Sequence, residues 1–250
     1  MDKIGISGNK ILITGGATGI GFAIAKAFHD LGNELLICGR RESKLQEAAV
    51  KLPGIKILKC DISKKEDRRM LYDFVDSEFG GINILVNNAG IQRPIDFRKG
   101  EEDLLSNGDE IEINLKAQIS LAAHFIPILI NRENSAIINI SSGLGFVPLA
   151  RFPIYSATKA AIHSFSMSLR KQLEGTNLKI FEVIPPTVYD TELKGKPLDK
   201  TDWMVSASEV SSAVIDGIRN GEYEIAIGPA KKWSKSSREE LDKFFNDVNH

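Results

Sequence analysis

The sequence is poor in cysteine: Cys38 and Cys60 are the only thiols in 250 residues. Each stands near the end of a short apolar run, so there is no disulfide framework, and the usage suits a reducing compartment. Histidine is almost as sparse, with four in the chain. His29, His124 and His250 have no Cys, His or carboxylate neighbour at ligand spacing, and no metal is expected. His163 falls in the helical segment that begins near residue 153 and takes an ordinary packing role. No run of about 18 apolar residues occurs, which excludes a membrane-spanning helix. Nor does the N-terminus show a basic segment followed by an apolar core, so a soluble, cytoplasmic chain is expected. An excess of either charge is also missing: 32 Lys and Arg against 33 Asp and Glu leave a net −1. Such a balance gives no general attraction to nucleic acid or to an anionic membrane.

The composition, 42% hydrophobic and 26% charged, is that of a globular chain. At this length folding should bury roughly 70 to 75% of the unfolded surface. Short apolar runs alternate with longer segments of helical period, the pattern of a parallel sheet covered by helices on both faces. Strands are predicted at 10–14, 34–38, 55–59, 82–86, 136–140, 178–183 and 222–226, which makes seven. Helices are predicted at about 19–31, 41–51, 64–79, 103–131, 153–174 and 207–220. Gly32, Gly80 and Gly175 stand just past helix ends, where a left-handed cap is wanted. The alternation runs through without a Ser/Gly-rich linker, a repeat or a low-complexity segment, so 1–250 reads as a single domain. Two stretches fit neither pattern, 92–102 and 186–206, and the second is taken as a substrate loop. The tail from about 231 to 250 reads as an amphipathic helix with Leu241, Phe244, Phe245 and Val248 on one face. Trp233 is expected to anchor it.

The first strand ends in Thr14-Gly15-Gly16-Ala17-Thr18-Gly19-Ile20-Gly21 and passes straight into a helix. Glycines there let the backbone turn sharply and approach a pyrophosphate, whose charge then sits at the helix N-terminus. The ribose end of the cofactor should be read at the end of the second strand, where Gly39-Arg40-Arg41-Glu42 stands. A carboxylate in that place would bind a free 2′-hydroxyl, whereas Arg40 and Arg41 can pair with a 2′-phosphate, so NADP(H) is favoured over NAD(H). Asp61, after the third strand, is a candidate for the adenine amino group or else the N-cap of the next helix. Asn88, Ala89 and Gly90, after the fourth strand, would line the adenosine ribose.

Tyr155 and Lys159 are i and i+4 on a strongly periodic helix, so both leave one face. An ammonium about 4 Å from a phenol favours phenolate by roughly 4 kcal/mol at an effective dielectric of 20, which would bring Tyr155 toward neutral pH. With the glycine loop, Asn87-Asn88-Ala89-Gly90, Ser142 before Tyr155, and Tyr155-Ser-Ala-Thr-Lys159, the chain resembles the short-chain dehydrogenase/reductase family over nearly its whole length. More narrowly it is similar to the DltE-like bacterial oxidoreductases, through Asn88-Ala-Gly-Ile-Gln92, Asp109-Glu-Ile-Glu112 and Ile162-His-Ser-Phe-Ser166.

The resemblance implies a doubly wound, Rossmann-type α/β sheet and hydride exchange between a nicotinamide and an alcohol or carbonyl compound of small size. It implies that Tyr155 donates or removes the proton on the substrate oxygen and that Ser142 hydrogen-bonds that oxygen. Lys159 binds the nicotinamide ribose, and Asn114 holds a water linking Lys159 to solvent. Val188 and Thr191 would contact the carboxamide, although Pro186 replaces the family's glycine and Tyr189 looks like an insertion. Walls of the substrate pocket are expected at 143–148, 92–97 and 187–203. Pairing through the long fourth and fifth helices, as homodimer or homotetramer, follows from the same likeness. The competing reading is a catalytically silent nucleotide sensor or scaffold on this fold.

Overall fold

The computed structural model describes residues 4–101, 109–191, 193, 198–236 and 238–249. Runs of Ile, Leu and Val form the strands β1 (Lys10–Thr14), β2 (Glu34–Gly39), β3 (Lys56–Lys59), β4 (Ile84–Asn87), β5 (Ala136–Ile140), β6 (Lys179–Ile184) and β7 (Glu224–Ala226). They form one seven-stranded sheet in the order β3-β2-β1-β4-β5-β6-β7, with every pairing parallel. The helices between them are α1 (Gly19–Asp30), α2 (Glu42–Lys51), α3 (Lys65–Ser77), α4 (Ala117–Leu129), α5 (Pro153–Gln172) and α6 (Ala207–Asn220). Two more, α7 (Ala230–Trp233) and α8 (Arg238–Asn249), follow the sheet.

Successive strand residues point to opposite faces, so the sheet divides its apolar residues between two layers. Ile11, Ile13, Ile37, Ile84, Val86 and Ile138 pack with Ile24 and Phe28 of α1, Leu45 of α2, and Val210 and Val214 of α6. Leu12, Leu36, Leu85, Ile137 and Ile180 pack with Leu71 of α3, Leu121 and Phe125 of α4, and Leu169 of α5. Each such side chain, when fully buried, contributes about 1.5 to 3 kcal/mol. Helix ends follow the expected chemistry. Gly32, Gly80 and Gly175 adopt φ of +77°, +73° and +84°. At the start of α6 the Ser206 hydroxyl accepts from the Glu209 amide and the Glu209 carboxylate accepts from the Ser206 amide, a capping box.

Strand bounds shift by a residue or two from the expected ones. β7 starts at Glu224 rather than 222, because the Glu222 amide is already bonded to the Gly217 carbonyl in closing α6. The segment expected as one helix over 103–131 differs more. Residues 102–108 lie outside the described part, and a π-helical turn, Glu112–Lys116, then leads into α4. Such turns occur as single insertions in helices, frequently at functional sites.

With all strands parallel, their C-terminal ends share one edge. Chain order reverses there between β1 and β4, the point at which open α/β sheets bind ligands.

Candidate active site

A cleft of about 1110 Å³ runs along that edge. Gly15, Gly19, Ile20, Gly21, Arg40, Arg41, Asp61, Asn88, Ala89, Gly90, Ser142, Tyr155, Lys159, Val188 and Thr191 all line it. Thr14, Gly16 and Asn114 lie beneath it. Thr14 is fully buried, and its hydroxyl donates to the Val86 carbonyl at 3.2 Å and accepts from the Asn88 and Ala89 amides at 3.0 and 3.1 Å. It therefore pins the β4 loop to β1 from below. The glycine loop is a cradle that larger residues would fill: a Cβ on Gly21 would stand 2.3 Å from the Gly15 carbonyl oxygen, and one on Gly16 2.7 Å from Cγ2 of Ile37. The N-terminus of α1 is open as well, since Thr18 makes no side-chain cap and no acidic residue occupies the first turn. Open amide groups at a positive helix end fit a pyrophosphate. The residues present thus fit a nicotinamide dinucleotide.

At the β2 end of the cleft Arg40 and Arg41 are exposed at the rim and Lys44 joins them, a third cation that the sequence reading left out. Arg41 Nη2 donates to the Thr18 hydroxyl at 3.0 Å, which ties the end of β2 to the glycine loop. Asp61 does not cap α3. Its carboxylate accepts from the amide and hydroxyl of Ser63, an Asx turn, while α3 begins after Lys64 with no side-chain cap.

At the opposite end, Ser142 and Tyr155 line the cleft together and both are buried. The Ser142 hydroxyl also accepts from the Leu144 amide at 3.1 Å, which fixes the turn after β5. Lys159 donates to the Ile140 carbonyl at 2.7 Å, and its Nζ stands 5.5 Å from the centroid of the Tyr155 ring. The expectation that the ammonium brings Tyr155 toward neutral pH is corrected here. Burial pushes the phenol up to about 12, although the neighbouring Ser142 hydroxyl opposes it. Burial pulls Lys159 down to about 8. Both side chains leave one helix face, but burial governs each of them, and the amine is directed at the strand end.

Asn114 sits fully buried in the π-helical turn. Its side chain accepts from the Ile91 amide and donates to the Ile91 carbonyl, each at 2.8 Å, and donates to the Thr158 hydroxyl at 3.3 Å. It is therefore the clamp that joins the β4 loop to α5.

The described residues after β6 are held by backbone pairing despite Pro185 and Pro186. Val188 pairs with Val205 in an isolated parallel bridge, through hydrogen bonds from Tyr189 to Val205 and from Val205 to Thr187 at 3.1 and 3.2 Å. Thr191 faces the glycine loop, 3.2 Å from where a Cβ on Gly19 would be. The Asp190 carboxylate accepts from the Ala207 amide at 2.8 Å. On the substrate side the cleft is walled by Gln92, Arg93, Leu144, Leu149, Trp203 and Trp233. Trp233 belongs to α7 and covers Gly143, where a Cβ would lie 2.7 Å from its ring, so it walls the cleft, which Asp247 of α8 also lines. Phe245 of α8 is 40% exposed, so the expected apolar face is not fully packed. The side chain of Val248 lies outside the described residues.

Sequence reasoning missed a buried carboxyl near this wall: Glu110 accepts from the Arg93 amide at 3.2 Å, and burial raises its pKa. It also missed the pairing of His163 with Glu182. Among the described residues no group of His, Cys, Asp and Glu is arranged to hold a metal, and no helix is long and apolar enough to cross a membrane.

A parallel doubly wound sheet with a glycine-lined cleft and a Ser, Tyr and Lys cluster defines an oxidoreductase of the nicotinamide-binding class. The family model described as short chain dehydrogenase matches residues 9–202, and the chain belongs to the short-chain dehydrogenase/reductase family. It is 43% identical over 98% of both chains to the uncharacterized oxidoreductase DltE of Bacillus subtilis (strain 168). Its fold is that of a short-chain dehydrogenase/reductase from Burkholderia phymatum in complex with NAD, at TM-score 0.80 and 22% identity over 97% of this chain and 96% of that one. A short-chain dehydrogenase from Sphingobium yanoikuyae in complex with NADPH is similar at TM-score 0.79 and 26% identity, covering 94% and 95%.

Proposed function

We propose that this protein is an NADP(H)-dependent oxidoreductase that interconverts an alcohol and a carbonyl compound, with Tyr155 as the general acid and base. One observation carries the reading: a single cleft joins Arg40 and Arg41 at one end to Ser142, Tyr155 and Lys159 at the other. The bound dinucleotide supplies or accepts hydride at its nicotinamide. Gly15, Gly19, Ile20 and Gly21 hold its pyrophosphate, Arg40 and Arg41 its 2′-phosphate, and Asn88 to Gly90 with Asp61 its adenosine. Val188 and Thr191 contact the carboxamide. Solved structures of this fold hold either coenzyme, NAD in the Burkholderia phymatum protein and NADPH in the Sphingobium yanoikuyae one, so the choice of NADP(H) rests on Arg40 and Arg41.

Tyr155 is protonated at neutral pH, the state needed to donate to a carbonyl oxygen during reduction. Ser142 donates to the same oxygen as charge gathers on it. Lys159 spends one proton on Ile140 and has others for the ribose hydroxyls. Asn114 keeps Ile91 and Thr158 in place beneath them. Exposed Ile119 on α4 and Met167 on α5 support pairing into a homodimer or homotetramer, and the buried free thiols support a cytoplasmic setting.

The test is NADPH oxidation with a panel of aldehydes and ketones. Tyr155→Phe is expected to lower kcat by about 10²- to 10⁴-fold while leaving NADPH affinity near the wild-type value. NADPH binding with no turnover on any carbonyl would instead establish the silent sensor.

A further inference from the structure

Behind the Ser142 end of the cleft lies a polar cluster that the chemistry above does not use. Glu182 stands within β6, in register with Asn139 of β5 and Glu224 of β7, and its side chain is 0% exposed. A carboxylate so far from water persists only when donors meet its oxygens. Here the Ser141 hydroxyl donates to Oε1, and the His163 ring Nδ1 meets Oε2 at 2.8 Å. Ser141 is the chain neighbour of Ser142. His163 lies one turn beyond Lys159 on α5, and its ring packs at 4.5 Å between centroids against Phe146, in the turn that follows β5. One carboxylate therefore joins the strand end that carries Ser142, the helix that carries Tyr155 and Lys159, and the turn on the substrate side.

We propose that Glu182 is a positioning residue of this centre: its carboxylate locks α5 to the end of β5 through His163 and Ser141, and is the buried anion opposite Lys159. The inference rests on the reading of Tyr155 and Lys159 as the working pair with NADP(H). Lys159 bonds the Ile140 carbonyl of β5 and stands over the Tyr155 ring of its own helix, with Asn114 near it across Gly90; Ser141, which bonds Glu182, is the residue after Ile140. Burial draws Lys159 down, and Glu182 is the charge that opposes it. Around the pair itself, Glu182 raises the pKa of His163, as Glu224 of β7 does less strongly, while Arg170 of α5, bound to Glu224 at 3.1 Å, lowers it. Removing the carboxylate charge should let Lys159 lose its proton at lower pH.

Glu182→Gln keeps an acceptor for Ser141 and an amide facing His163 while removing that charge. NADPH binding by fluorescence across the neutral to alkaline range is measured on the full chain, together with kcat and KM on a carbonyl that turns over. The alkaline midpoint of binding is expected to fall by about one pH unit in Glu182→Gln. Neutral kcat should fall roughly tenfold at a nearly constant KM for NADPH, as for other residues that orient a working group. His163→Gln still offers Glu182 a donor and should keep the wild-type midpoint. An unmoved midpoint in a folded Glu182→Gln protein overturns the inference while leaving the hydride-transfer reading intact. Should wild type turn over no carbonyl and the midpoint still move, that reading fails and the link from Glu182 to Lys159 stands. If thermal unfolding shows that Glu182→Gln does not fold, Ser141→Ala takes its place. It should lower kcat several-fold at an unmoved midpoint, and wild-type kcat in that variant overturns the proposal.

Discussion

Lys159 gives its shortest hydrogen bond to the carbonyl of Ile140, 2.7 Å away, and not to Tyr155, whose ring centroid is 5.5 Å distant. The amine thus secures the last residue of β5 and, through it, the position of Ser142 two residues on. Both members of the i, i+4 pair are buried, so each resists its charged form, the phenol at about 12 and the amine at about 8. An arrangement of this kind keeps the phenolic proton in place until a ligand changes the local charge.

A stability profile follows from those two values. The unfolded chain holds the Lys159 proton up to its ordinary pKa of 10.5, the native one only to about 8. Between these limits the unfolded state binds more protons, so stability rises with pH across that window, and the whole penalty, about 3 kcal/mol, is in force below it. Tyr155 acts in the opposite direction at higher pH: the native state keeps its proton from 10 up to about 12, and stability falls there. Urea unfolding of the cofactor-free protein should show Lys159→Met more stable than wild type at neutral pH, with the gap closing as the solution becomes alkaline. A gap independent of pH would refute the assignment.

Coenzyme choice is tested at the rim. Arg40 is exposed at the cleft, and Arg41 is already braced on the Thr18 hydroxyl at 3.0 Å, so Arg40 is the more separable of the two. Arg40→Asp should weaken NADPH by about 10- to 100-fold, the range of a charge-assisted hydrogen bond, and reverse the preference to NADH. Dissociation constants for both coenzymes, before and after, decide it; equal values throughout would remove the argument from the arginines.

What the sequence disclosed was what is local. β1 and β5 have the expected bounds because each is a short apolar run with no competing signal. The glycine loop, Ser142, Tyr155 and Lys159 were readable because each depends on its own turn, helix or strand end. Glu182 and His163 were not, since they meet across 19 residues and two elements, and a buried carboxylate looks in sequence like any other. The π-helical turn at Asn114 carries no compositional mark. The cap alternative for Asp61 could not be dismissed from sequence, because an Asx turn and an N-cap use the same residue, and only the partner, Ser63, separates them.

Gly21 offers a steric test of the cradle. A methyl there would stand 2.3 Å from the Gly15 carbonyl oxygen and 2.5 Å from Nδ2 of Asn88, so the loop or the start of α1 must shift. Gly21→Ala is expected to lose about 1 to 3 kcal/mol of stability through overpacking and to lose NADPH binding with it. Thermal unfolding and cofactor titration measure the two effects separately. Wild-type affinity in this variant would mean that the dinucleotide does not use the loop.

Asn114 gives the clearest separation of framework from chemistry, because it touches neither the cleft nor Tyr155 and yet supports both sides of the site. Asn114→Ala would leave the buried amide and carbonyl of Ile91 without their 2.8 Å partners. Unpaired buried groups of that kind destabilise by about 1 to 3 kcal/mol, and a fall in thermal stability of that size is expected. If Asn114 acts only as a clamp, Asn114→Asp should recover part of that stability, since its oxygen still accepts from the Ile91 amide but the donor to the Ile91 carbonyl is gone. If it also holds the water that replenishes Lys159, Asn114→Ala should in addition lower kcat and change its pH profile at an unchanged affinity for NADPH. An unchanged pH profile would assign Asn114 to the framework alone.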